Sequence, residues 1–122
     1  MNADVQFFFD HAGYSWNPAT ETEQAGRLRC AENLAAAEGI ARAAGVSFDW
    51  TIDPDIDSSD FSDDPEPWAL WQCVAYDAAG SECGCLCGVD FGRDGSPHAD
   101  DYRRVVEAEI AAEYVDATLK AA

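Results

Sequence analysis

Asp53, Asp55 and Asp57 occupy alternate positions, as at the start of a D-x-D-x-D calcium loop. The match then fails. Ser58 stands where the sixth position wants glycine, Asp64 where the twelfth wants a bidentate glutamate, and Pro54 fills the second. A second group is Cys83, Cys85 and Cys87. On a regular strand these thiols share a face. They could seed a zinc site with a fourth ligand from Cys30, Cys73 or His98. Structural zinc sites instead pair C-x2-C knuckles, and the same face continues to Val89 and Phe91. Core packing of small, buried thiols is therefore the expectation. Calcium at Asp53, Asp55 and Asp57, or zinc at Cys83, Cys85 and Cys87, is the alternative reading, and no cofactor is expected.

A nucleophilic site can be sketched from Cys73, His98 and Asp100, or from His11 and Asp10. No elbow-type motif surrounds any Cys or Ser to assemble one. The chain is not expected to be an enzyme. It also lacks a glycine-rich phosphate loop and a basic stripe with aromatics, which argues against direct nucleic-acid binding.

Acidity dominates the remaining chemistry. The formal net charge is -17 on 122 residues. Eight acids and no base lie between Asp49 and Glu66: Asp49, Asp53, Asp55, Asp57, Asp60, Asp63, Asp64 and Glu66. Such a field repels nucleic acid and anionic membrane, and attracts cations and basic protein surfaces. In an extended chain, alternate Asp residues set charges about 6.6 Å apart. That scale is comparable to the phosphate spacing of a nucleic-acid strand, about 3.4 Å of axis per phosphate. A rigid array of this kind fits a Lys/Arg groove built for DNA or RNA. Trp68 and Trp71 border the run and add aromatic anchors, one of them outward-facing because their positions differ in parity. The expected partner-binding residues are the eight acids with Trp68 and Trp71. A plain soluble domain adapted to salt is the competing explanation of the charge.

In size and charge the chain resembles small acidic inhibitors encoded by phages and other mobile elements. Some of these mimic nucleic acid to block host defence. The resemblance implies an anti-defence inhibitor acting on a nucleic-acid-binding protein, and no motif carries individual residues over from it.

The frame that must position these groups is a single domain, 1–122. Hydrophobic residues make up 48%, enough for a core. No stretch approaches the roughly 20 apolar residues of a membrane span. No basic N-terminal region leads into an apolar run, and the cysteine count is odd. Both favour a cytoplasmic protein with reduced thiols.

The apolar run Val5–Asp10 reads as a buried strand. Thr20-Glu21-Thr22-Glu23 reads as a capping box opening a helix to about Ala44, with Gly45 at its end. Gly26, Cys30, Leu34, Ala37, Ile40, Ala41 and Ala44 gather on one face, small enough to lie close against a sheet. Val46–Asp53 alternates as a strand with Val46, Phe48, Trp50 and Ile52 inward. An acidic loop follows at about 54–67, then strands at Trp68–Tyr76 and Glu82–Phe91 joined by the turn Asp77-Ala78-Ala79-Gly80. Ser96 and Pro97 should start a last helix. On it, Val105, Ala108, Ala112, Val115 and Leu119 should face the sheet. Tyr102, Val106, Ile110 and Tyr114 form a second stripe, either part of a wide buried face or a homodimer seam. The expected class is α+β, ordered β-α-β-β-β-α, with a four-stranded antiparallel or mixed sheet and both helices on one face.

Overall fold

The first nine residues of regular structure coil instead of extending. A computed structural model describes residues 1–92 and 100–120 and gives helix α1 over Ala3–His11. The Asn2 side chain caps it, accepting the Val5 N–H at 2.8 Å. Asp4 lies in its first turn and His11 in its last. The run Val5-Gln6-Phe7-Phe8-Phe9 is too short for periodicity alone to separate a strand from a buried helix. Packing decides it: Val5 and Phe8, three apart, enter one cluster with Ala31, Leu34, Val105 and Ala108. The expected fourth strand is thus a helix.

Helix α2 spans Glu23–Ala43. Its cap is Thr22, whose hydroxyl accepts the Ala25 N–H at 3.1 Å. The expected box at Thr20 sits two residues early; Thr20 instead closes a turn on Asn17. The helix ends as expected. Gly45 takes φ 82°, and the Val46 N–H bonds Ala41 O at 3.0 Å while the Gly45 N–H bonds Arg42 O at 3.1 Å. These two bonds satisfy carbonyls that the last turn leaves open.

Strands β1 (Ser47–Asp57), β2 (Ala69–Tyr76) and β3 (Glu82–Val89) form an antiparallel sheet in that order. The 77–80 turn holds as read: the Asp77 carboxylate accepts the Ala79 and Ser81 N–H groups, and Gly80 takes φ 83°. Helix α3 runs over Asp100–Lys120. The expected cap at Ser96 and Pro97 lies outside the described residues. The fold is α+β, with three helices and a three-stranded antiparallel sheet among the described residues, ordered α1-α2-β1-β2-β3-α3.

Helix α3 is the middle layer. Val106 and Ile110 pack on Cys73, Ala75 and Val89 of the sheet. Val105 and Ala108 pack on α1 and α2, and Ala111 meets Ala37 and Ala41 of α2. Two expectations change. The small face of α2 meets helices more than the sheet, and Ile40 is exposed. It is Val106 and Ile110 of the stripe Tyr102, Val106, Ile110, Tyr114 that pack on the sheet. Val106 and Ile110 are fully covered within the chain, Tyr102 stacks edge-on with Phe91, and Tyr114 is half-buried. Glycine makes the contact close. A Cβ at Gly84 would lie 2.8 Å from Ile110 Cγ2.

Arg104 ties the helices together. Its Nε and Nη2 donate to Glu38 of α2 at 2.7 and 2.8 Å, and Nη2 also reaches Asp4 of α1 at 2.9 Å. The guanidinium stacks over the Phe7 and Phe8 rings.

Candidate functional site

The acidic segment is not one loop. Its first half is the end of β1, which runs four residues beyond the expected Asp53. Pairing with β2 is regular from Ser47↔Tyr76 to Ile52↔Trp71 and resumes only at Asp57↔Ala69. Four residues of β1 therefore face one of β2, a bulge that breaks the alternation. Pro54 sits inside it, where β1 is an edge strand and a missing N–H costs no ladder bond. Burial changes where the bulge begins. Ile52, expected in the core, is 51% exposed, and Asp53, expected on the wet face, is 8% exposed.

The carboxylates order the segment themselves. Asp53 Oδ1 accepts the Asp55 N–H at 3.0 Å. A 3-10 turn, Ser58–Asp60, follows directly. Asp57 caps it by accepting the Ser59 N–H at 2.8 Å and the Ser59 hydroxyl, while Asp60 accepts the Asp57 N–H at 2.9 Å. The Ser59 hydroxyl, then its N–H, holds the Asp57 carboxyl below the usual carboxylate range. Asp64 accepts the Glu66 N–H at 3.0 Å. Ser58, fully buried, exchanges two bonds with Trp68 and closes the segment.

The result is an open cleft of about 440 Å³ between the β1 bulge and the start of β2. Asp53, Asp55, Asp57 and Asp60 line it with Ile52, Pro54, Ile56, Pro67 and Trp68. Carboxylates thus ring an apolar wall, an arrangement suited to a long cationic side chain whose stem is apolar. The Trp68 indole N–H donates to Asp90 at 2.8 Å, and Asp90 also accepts the Gly92 N–H at 2.6 Å. Phe61, 63% exposed, stands at the tip of the segment.

Of the ten expected partner-binding residues, the cleft gathers Asp53, Asp55, Asp57, Asp60 and Trp68. Asp49 is exposed on the neighbouring stretch of β1, and Asp63, Asp64 and Glu66 lie on the return toward Trp68. Trp71 packs against the sheet core with Trp50 and Phe91. Ser58, Asp90 and the exposed Ile52 were not singled out from sequence. Asp90 carried a weak signal, an Asp two residues before Gly92; nothing marked Ile52, which keeps its register with Trp71, as exposed.

The other candidates assemble less. Among the described residues no group of three or more His, Cys, Asp and Glu could hold a metal ion. The Asp53 and Asp57 carboxylates are turned to backbone N–H groups. Two register shifts in β3 break the common face of the thiols, leaving Cys83 half-buried and Cys85 and Cys87 exposed. Cys73 is wholly buried, and burial pushes its thiol up to about 12, which leaves it a poor nucleophile. His98 lies outside the described residues, and His11 binds Phe7 O and faces Asp101. A second cavity, about 180 Å³, lies among Glu38, Arg42, Arg104 and Glu107 over Val46 and Phe48. Glu38 already pairs with Arg42 and Arg104, and Glu107 accepts the Trp50 indole N–H. No helix of the described residues is long and apolar enough to cross a membrane. No family model, curated protein or solved structure matches this chain.

Proposed function

We propose that this is a non-enzymatic binding protein that presents its acidic cleft to a basic protein surface. An arginine or lysine of the partner enters between Asp55, Asp57 and Asp60, with its stem against Ile56 and Trp68. The exposed carboxylates of Asp49, Asp63 and Glu66 extend the field around it. One observation carries the reading: the Asp53, Asp57 and Asp60 carboxylates are held by backbone hydrogen bonds beside an apolar wall. A solvated acidic tail needs neither the bonds nor the wall.

The natural owner of a basic groove is a nucleic-acid-binding protein, and an inhibitor that fills such a groove competes with DNA or RNA. This agrees with the net charge of -17 and with the likeness in size and charge to mobile-element inhibitors. Affinity capture from the source cell, followed by competition with duplex DNA, tests it. A captured partner should release the protein as DNA is added, and more readily at higher salt. Capture of a partner indifferent to both would refute mimicry.

A further inference from the structure

Strand β3 carries three cysteines, and its irregularities sort them. Gly84 faces Ile110 of α3, so Cys85 points to the opposite side of the sheet, beside Val74 of β2. Helix α3 packs on the other side. Cys87, two residues on, shares this outer face. Its Sγ lies 3.8 Å from Gln72 Oε1, and the Gln72 amide donates to Thr51 of β1 at 3.2 Å. Both cysteines are exposed and reduced. Cys85 and Cys87 are thus neighbours on one exposed face of the strand. Just beyond them Gly88 takes φ 69°, within the register shift between Leu86 and Val89.

We propose that Cys85 and Cys87 are a modifiable dithiol that closes to an intramolecular disulfide by exchange with a low-molecular-weight disulfide such as oxidised glutathione. The Cys85 thiolate attacks one sulfur of the oxidant, forms a mixed disulfide and releases one glutathione thiolate. The Cys87 thiolate then attacks Cys85 Sγ, breaks the bond to glutathione and releases the second. The dithiol loses two protons and two electrons, and the oxidant's S–S bond becomes two thiols.

Order and reversibility follow from the setting. The Cys87 thiol is engaged with Gln72 Oε1, and burial, then the neighbouring Cys85, Asp53 and Glu82, holds it up, which assigns Cys87 the resolving step. Alternate strand positions set Cα atoms about 6.6 Å apart, near the upper end of the roughly 4.4–6.8 Å that a disulfide spans. A bond closed at the edge of that range, on an exposed strand, is open to reduction by thiols, as suits a reversible modification more than a structural staple. The positive-φ glycine next to Cys87 gives the strand a place to bend. The inference is independent of the proposed function.

The test is intact-mass and non-reduced peptide analysis of the full chain after incubation with oxidised glutathione. The expected product has lost two hydrogens, is linked within 85–87, and reopens with excess reduced glutathione. Cys87→Ser should stop at one glutathione on Cys85. This conservative change is at an exposed position, and circular dichroism would verify the fold. A wild-type chain that stops at a stable mixed disulfide, closes through Cys83 or links two copies would overturn the proposal. So would a chain that does not react at either thiol.

Discussion

Ser58 and Trp68 close the acidic segment through two reciprocal hydrogen bonds. The Trp68 N–H donates to Ser58 Oγ at 2.9 Å, and the Ser58 N–H donates to Trp68 O at 3.1 Å. Nine intervening residues are thereby held as a loop with one fixed mouth, and the cleft lies against that mouth.

Ser58→Ala removes the first of these bonds at a wholly buried position. Leaving the Trp68 N–H without its acceptor should cost about 1–3 kcal/mol. Denaturant unfolding would measure that cost. Amide exchange should quicken at Ser59–Asp64 before it does in the helices. Equal protection there in wild type and variant would show that the segment is ordered by other contacts.

Arg104 joins three helices, and its replacement separates that role from charge. Arg104→Met should cost about 2–3 kcal/mol, the lower range for breaking a partly buried ion pair, because the apolar stem remains. Arg104→Lys keeps the charge but loses the fork to Glu38, and should recover about half of the loss. Thermal unfolding reads both. A harmless Arg104→Met would mean that the pair only balances its own desolvation.

Glu107 predicts a pH dependence. Burial raises its carboxyl, opposed by the Trp50 indole N–H and Arg103. The folded chain therefore holds this proton more tightly than the unfolded chain. Stability from this group is present below the ordinary carboxylate value and is lost as pH rises through the raised folded value. Glu107→Gln should raise Tm by a few degrees at pH 7 and leave it nearly unchanged near pH 4. Glu32→Gln, at an exposed carboxylate, controls for the loss of one charge. A gain at Glu107 that is the same at both pH values would contradict the assignment.

Much of the fold was legible where local chemistry and tertiary packing agree. The 77–80 turn needed a glycine at positive φ and had one. The end of α2 needed Gly45. The start of α1 misled because three phenylalanines in a row suit a buried strand or helix equally, and only contacts with α2 and α3 decide. The cysteine face misled because a shift at Cys83 puts Cys85 and Cys87 on the other side and a second shift returns Val89 to the core, neither with a mark in the residue pattern. The acidic site was legible as a charge run, and Asp53, Asp55, Asp57 and Asp60 do come together. Its shape was not legible. Asp53 is buried inside the β1 bulge, Ile52 is left exposed just before it, and Trp71 turns to the core through its neighbours Phe91 and Val89.

The central claim is that the cleft, and not the acidic surface at large, receives a basic side chain. A nitrogen-15 NMR titration with a short arginine-rich peptide tests it most directly. Shifts should concentrate at Asp55, Asp57, Asp60 and the Trp68 indole, with affinity weakened about twofold to fivefold in Asp55→Asn and Asp60→Asn, as for exposed charge pairs. Shifts spread evenly over the other exposed acids, such as Asp10, Glu32 and Asp101, and unchanged in both variants, would contradict it.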